Sequence, residues 1–282
     1  MPHIFAQIVH HPVSYKLGPL QFTGFGFAML MCFVIGQIIT QREMERRGQD
    51  PQAAGDMVFA AVVGGLLGAK IYYAILMGDV SSLTSRAGFV FWGGLIGGII
   101  AVTAVVWKKR LGIARVSDSV AVALPAAYSI GRTGCWAVGD DYGRPWNGPL
   151  AVAFPEGAPA STVANMTSAF GVKFPPGTPP NEVVAVHPTQ LYEVMMGAIM
   201  FFIVLRFRKH SHGEGWLFGL YCLLAGLERF IVEFFRAKDD RFLGGGFTLA
   251  QLIAIGFALF GAAWMMYKWN PSRLAATPVR KV

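Results

Sequence analysis

Seven stretches of this chain are long and predominantly apolar: approximately 20–40, 57–77, 88–107, 118–138, 189–206, 215–235 and 247–267. A helix needs about 20 such residues to cross a bilayer, and helices satisfy their own backbone polar groups in lipid. The pattern therefore predicts an all-α polytopic membrane protein, with seven transmembrane helices in one integral membrane domain spanning 1–282. The third stretch is the cleanest, running from Phe89 to Trp107 without a charge. The second is interrupted by Lys70 and the sixth by Glu228 and Arg229. Glycines recur throughout, and the pair Gly93-Gly94 marks a place where two helix backbones can approach closely.

Composition agrees with this reading. The chain is 54% hydrophobic and 14% charged, against roughly 25% charged in soluble domains. Its mean hydropathy is +0.48. The net charge of +8 does not point to nucleic acid, because the basic residues lie in short segments between apolar spans rather than along one arginine-rich helix. Such segments set topology instead. Arg42, Arg46 and Arg47 follow the first span. Lys108, Lys109, Arg110 and Arg115 follow the third, and Arg206, Arg208 and Lys209 the fifth. Lys268, Arg273, Arg280 and Lys281 form the tail. The alternate loops are poorer, with Lys16, Arg86, Arg144, Lys173 and the group Arg236, Lys238 and Arg241. This places the N-terminus outside and the C-terminus in the cytoplasm. The first twenty residues lack a basic region followed by an apolar core, so the first span is expected to be its own insertion signal. Cys32, Cys135 and Cys222 fall in apolar segments without a CxxC, which argues against a disulfide framework or a zinc site.

One connection is long. Residues 139–187 carry eight prolines between Pro145 and Pro180 and fall on the outer side. They are expected to form a small extramembrane lobe with little regular helix in the proline-dense part. No internal repeat is evident, which disfavours a transporter.

Candidate chemistry lies in the spans that are least apolar. Lys70, Arg132 and Arg229 each interrupt an outward-running span six or seven residues from its outer end, roughly 9–11 Å below the boundary at 1.5 Å per residue. Intramembrane cations face a cavity, a partner or a substrate. Three at one depth, with few acids expected beside them, suggest a phosphate site in the outer leaflet. Three motifs surround them. GRTGCWAVGDDYGR (131–144) ends a helix in a glycine-permitted turn that presents Asp140 and Asp141; it is not a P-loop, and the acids could equally be solvated caps. ERFIVEFFR (228–236) spaces Arg229, Glu233 and Arg236 along one helix face, where Glu233 could orient Arg229 toward phosphate oxygens or form a structural ion pair. HPTQLYE (187–193) opens the fifth span, with His187 read first as a structural hydrogen bonder, and Gln190 and Glu193 near the first turn, where an acid suits the helix dipole. Asp140, Asp141 and His187 lack recognised metal spacing, so neither metal nor cofactor is expected.

These blocks, taken in order with GPLQFTGFGFAM, GGLLGAKIYY, GFVFWGGLIGG and TLAQLIAI, resemble the prolipoprotein diacylglyceryl transferase family over most of the chain. The resemblance implies an enzyme of the bacterial inner membrane. Such an enzyme moves a diacylglyceryl group from phosphatidylglycerol to the lipobox cysteine of a lipoprotein precursor, forming a thioether and releasing glycerol phosphate. By the same resemblance Arg132, Arg229, Asp140 and Glu233 carry the chemistry. Arg132, Arg229, Lys70, Gly134 and Gly143 bind the lipid headgroup. His187, Gln190, Tyr192, Glu193, Arg236, Gly93 and Gly94 support them. The chain departs from the family pattern at several positions. Trp92 replaces the histidine of an HGG motif, Cys135 and Val138 replace two signature asparagines, Asp140 replaces a glutamate, and Thr23 replaces a tyrosine. Two alternatives follow from these departures: a paralogue lipidating another acceptor, and a non-catalytic protein that binds phospholipid or signal peptides.

Overall fold

The computed structural model describes residues 8–18, 20–84, 88–237, 241–242 and 247–270. The basic positions Arg86, Lys238, Arg273, Arg280 and Lys281 used in the topology reading lie outside them. Seven long helices occupy the seven apolar stretches: α1 (Gly24–Arg46), α2 (Ala53–Met77), α3 (Phe91–Lys108), α4 (Ile113–Val138), α6 (Thr189–Phe207), α7 (Trp216–Glu233) and α8 (Leu249–Tyr267). The eighth, α5 (Val163–Phe170), is short and lies in the long connection. Among the described residues five helices, α1, α2, α3, α6 and α8, are long and apolar enough to cross a membrane. Of the other two long helices, α4 carries Arg132 and α7 carries Glu228, Arg229 and Glu233.

Burial separates the helices in the same way. α4 is the central element, packing on α1, α6 and α7, while α7 packs on α8 and α6. α2 and α3 form a pair to one side, joined to the body mainly through α1. Their backbones nearly touch: a Cβ at Gly64, Gly68, Gly93 or Gly97 would collide with the facing helix. Glycine is required there because van der Waals packing must hold helices together where lipid supplies no hydrophobic drive. Large apolar side chains such as Phe59, Leu67, Ile75, Phe91, Ile100 and Trp107 are exposed on this pair. So extensive an uncovered apolar face is expected of a surface that meets lipid.

The first helix begins later than its hydrophobicity suggests. Residues 20–23 belong to a β-hairpin, β2 (Ser14–Leu17) and β3 (Leu20–Thr23), and Thr23 caps α1 by accepting from the Gly26 N–H at 3.1 Å. Hydropathy alone extends a span into any apolar strand that adjoins it, which is why the predicted boundary at residue 20 is early.

The long connection forms a small folded layer. β1 (Ile8–Val9), β4 (Val152–Ala153) and β5 (Ala185–Val186) make a three-stranded sheet in the order β1-β4-β5. Tyr142, Val152, Phe154, Met166, Val186 and Ala237 form its core. Tyr142 stacks on Phe154 with 5.3 Å between centroids and donates its hydroxyl to Pro159 O at 2.8 Å. Two further short strands, β6 (Arg241–Phe242) and β7 (Phe247–Thr248), precede α8.

Candidate active site

The end of α4 is shaped by two left-handed residues. Gly139 caps the helix at φ +68°, and its N–H bonds back to Cys135 O and Trp136 O. Asp141 follows with φ 57°, a conformation that aspartate tolerates better than most residues. The resulting turn is stitched to the neighbouring helices. Thr189 Oγ1 donates to Asp141 O and Gln190 Nε2 to Asp140 O, both at 2.7 Å. Arg144 donates through its backbone N–H to Phe235 O at 2.8 Å and through Nε to Arg236 O at 2.7 Å. Gly143 is pressed into this junction, where a Cβ would meet Phe235 O, His187 and Thr189.

These links bring the ionisable side chains of three helices together. Arg132 Nη1 donates to Asp141 Oδ2 at 2.8 Å, and its Nη2 donates to Glu193 Oε2. Asp141 Oδ1 accepts from Arg236 Nη2 at 3.0 Å. Arg236 lies 3.8 Å from Glu193 and 3.9 Å from Glu233. Glu233 pairs with Arg229 Nη2 at 2.6 Å and accepts from Thr248 Oγ1 at 3.2 Å. Arg132 and Arg229 are thus the two ends of one continuous chain of guanidinium and carboxylate groups. Beside it, Tyr128 donates to Glu228 at 3.1 Å.

The expectation of few acids near the cations is overturned. Asp141, Glu193 and Glu233 alternate with Arg132, Arg236 and Arg229. A buried guanidinium without a counter-ion is too costly, so each arginine is matched by a carboxylate from another turn or helix. Donors nevertheless remain. Arg132 Nε and Arg229 Nη1 are buried without a hydrogen-bond partner among the described residues. The Arg229 side chain is 34% exposed, against 13% for Arg132, so the Arg229 end is the more open.

Electrostatics distinguish the two aspartates. Burial pushes both carboxyls up. For Asp141, Arg236 and Arg132 outweigh burial and hold it below the ordinary carboxylate range. For Asp140, burial and then the neighbouring Asp141 raise it; its Oδ1 accepts the Asp141 N–H at 2.7 Å. Arg236 is pushed down by burial, but Asp141 and Glu193 more than compensate and keep it charged.

The other sequence candidates surround or lie apart from this network. His187 stacks on Trp146 at 4.3 Å, and its Nδ1 is 3.1 Å from the Tyr192 hydroxyl. Burial lowers its basicity. With Met196, Ile231, Val232 and Phe235 these rings wall an apolar cavity of about 370 Å³ between α6 and α7. Glu193 does not act as a helix-dipole acid; its carboxylate turns to the arginines. Gly134 lets α1 approach α4, since a Cβ there would lie 2.9 Å from that of Ala28. Gly93 serves the α2–α3 contact, and Gly94 is in ordinary contact with Gly65 and Ala69. Lys70 stands on α2 with its ammonium 4.6 Å from the Phe89 ring centroid. Cys135 Sγ lies 3.4 Å from Arg132 Nη1, in the position where the family pattern carries asparagine. Trp92 is half-exposed on α3. Thr248, a helix cap with no intramembrane charge to flag it, was not singled out from sequence, and Asp141 was named only together with its neighbour Asp140, above which position alone cannot rank it. No cluster of His, Cys, Asp and Glu suited to a metal occurs among the described residues.

Comparison with known proteins shows the family. The model of the family described as prolipoprotein diacylglyceryl transferase matches residues 12–267. The phosphatidylglycerol–prolipoprotein diacylglyceryl transferase of Geobacter sulfurreducens is 31% identical over 276 residues, covering 92% of this chain and 94% of that protein. The proteins of the same name from Nitratidesulfovibrio vulgaris strain Hildenborough and Clostridium tetani are 30% and 27% identical, each covering about nine-tenths of both chains. The match spans all seven long helices, the long 139–187 connection and every residue of the ion-pair chain, and on that extent the protein belongs to the prolipoprotein diacylglyceryl transferase family, a family of membrane transferases.

Proposed function

We propose that this protein transfers a diacylglyceryl group from phosphatidylglycerol to the lipobox cysteine thiol of a prolipoprotein. The observation that carries this reading is the guanidinium–carboxylate chain with unpartnered N–H donors at both arginine ends. Arginine forks suit phosphate oxygens. The donor phosphate takes the spare donors of Arg132 and Arg229, while Glu233, Asp141 and Glu193 hold the guanidinium planes in place. Lys70 adds positive charge from the α2 side.

The acceptor sulfur attacks the glyceryl carbon bonded to the phosphate oxygen. A C–S bond forms, the C–O bond breaks, and the electron pair departs on glycerol phosphate. The charge growing on that oxygen is what the arginines stabilise, and fixed donors of this kind act most strongly in a water-poor site. Asp140, whose carboxyl is made more basic by burial, takes the thiol proton. The seven long helices span the bacterial inner membrane with the N-terminus outside. The 139–187 layer faces the exterior and receives the precursor.

Expression in cells depleted of their own transferase tests this. Restored growth and lipoprotein modification are expected; failure of both, with normal membrane insertion, contradicts it.

A further inference from the structure

Glu228 interrupts the apolar run of α7, and the reaction proposed above makes no use of it. Its side chain is buried, with the residue 5% exposed, and its Oε1 accepts the Tyr128 hydroxyl at 3.1 Å. Tyr128 lies one helical turn before Arg132 on α4, so the two share a face. The Tyr128 ring also packs against α6, where a Cβ at Gly197 would lie 3.1 Å from it. Glu228 is therefore held where α4, α6 and α7 meet, at the base of the guanidinium–carboxylate chain.

The groups around it decide which charge it can carry. Facing it are Tyr128 and Arg132 from α4 and Glu193 from α6. On its own helix Arg229 follows it, and Tyr221 precedes it by two turns. α8, which packs on α7, has no charged residue between Leu249 and Tyr267. The three arginines of the chain are already matched, since Asp141, Glu193 and Glu233 balance Arg132, Arg236 and Arg229. An ionised Glu228 is one carboxylate too many. Among the described residues no arginine or lysine forms an ion pair with it, and a buried charge without a partner is costly. A phosphate arriving at Arg132 and Arg229 adds to that cost, because two like charges then share one water-poor place.

We infer that Glu228 couples lipid binding to a proton: its carboxyl takes up one proton from solvent when a lipid phosphate settles on Arg132 and Arg229. This rests on the reading of those two arginines as a phosphate site. The phosphate of phosphatidylglycerol is a diester and stays anionic at ordinary pH. Affinity is therefore full while Glu228 is protonated and falls as pH rises through its ionisation. Tyr128 acts in the opposite sense. Its hydroxyl donates to the carboxylate and favours the ionised form, so it sets the pH at which the lipid is released.

The test is isothermal titration of the full-length protein, in a nonionic detergent, with short-chain phosphatidylglycerol. Buffers of different ionisation enthalpy count the protons taken up. The range from about pH 5 to about pH 9 leaves lysine and arginine charged. Across it the unsubstituted protein should lose at least about tenfold in affinity and take up as much as about one proton per lipid. Glu228→Gln keeps an acceptor for the Tyr128 hydroxyl; it should bind tightly throughout and take up none. Tyr128→Phe should move the loss of affinity about one unit to higher pH. A flat affinity in the unsubstituted protein overturns the inference, as does a Tyr128→Phe profile that superimposes on it. Uptake that survives in Glu228→Gln would assign the proton to Asp140 or His187 and also overturns it. Arg132→Gln distinguishes this failure from a deeper one. If that variant binds the lipid as the unsubstituted protein does, the phosphate site falls and the coupling with it. If it abolishes binding while Glu228→Gln keeps the pH dependence, the coupling alone falls.

Discussion

Two buried ion-pair clusters lie at opposite ends of the helical bundle, and they differ in what their charges bond to. At the end where α4 and α7 begin, Asp118 is fully buried and caps α7, accepting from Gly215 N at 2.9 Å and Phe218 N at 3.0 Å. Arg47 and His210 each lie 3.4 Å from it. Glu43 holds Arg46 at 2.6 Å and Arg208 at 2.9 Å, and Arg46 also donates to Arg208 O. These groups terminate backbone: they satisfy helix-end amides and carbonyls that would otherwise be orphaned. At the other end, where Arg132 and Arg229 lie, the network is made chiefly of side-chain pairs; among the described residues both clusters keep a buried arginine donor without a partner, Arg47 Nε in the first and Arg132 Nε and Arg229 Nη1 in the second. The first cluster closes the ends of helices, whereas the second links side chains of three helices to one another, and it is the second that the proposed function assigns to a ligand.

The largest effect is expected from Arg132→Gln. It removes the charge matched to Glu193 and Asp141 and one end of the phosphate site, and transfer should fall about 10²–10³-fold in protein that still inserts. Arg47→Gln, the counterpart in the Asp118 cluster, should leave the turnover of surviving protein within about twofold while lowering its thermal stability. Equal loss of activity in both would erase the functional distinction between the clusters. Next is Asp118→Asn, which weakens the cap on α7: a stability loss of about 1–3 kcal/mol, read by thermal unfolding in detergent, with little change in lipid affinity. Glu233→Gln should be milder in stability yet weaken phosphatidylglycerol binding about tenfold, because Arg229 loses the partner that orients it; native mass spectrometry of bound lipid reads this.

The smallest effect concerns pH. Asp140 must be ionised to accept a proton, and burial raises its midpoint above the ordinary value of about 3.9, so activity should fall as pH drops through that raised midpoint. Asp140→Asn should lower the rate and remove this acid limb. Asp141 has the opposite sign. Its carboxyl is held low by Arg236 and Arg132, so the stability it contributes is present above its unfolded value and is lost only as pH falls through the depressed one. The Arg132–Arg229 network should therefore persist where Asp140 is already protonated.

The helices were legible because each is an apolar run of membrane length, and Arg132 and Arg229 stood out because charge is costly within such runs. Their coupling was not legible. Arg132 meets Glu193 on α6, and Asp141 meets Arg236 beyond the end of α7; contacts at this separation depend on how helices pack, which one-dimensional spacing does not carry. Asp118 left a trace that could have been read, an acid inside the apolar segment VSDSVAVAL. The hairpin was hidden because its apolar strand merges into the span that follows. The choice between Asp140 and Asp141 turns on one left-handed residue at the helix end, a feature of backbone geometry rather than composition.

The central claim is that the Arg132–Arg229 network holds the phosphate of a lipid whose glyceryl carbon passes to a thiol. Purified protein in phosphatidylglycerol nanodiscs, incubated with a lipobox-cysteine peptide and followed by mass spectrometry of the peptide, tests it most directly. The peptide should gain one diacylglyceryl group, and Arg132→Gln and Arg229→Gln should each suppress the gain. An unmodified peptide, or equal modification by both variants and the unsubstituted protein, would contradict the account.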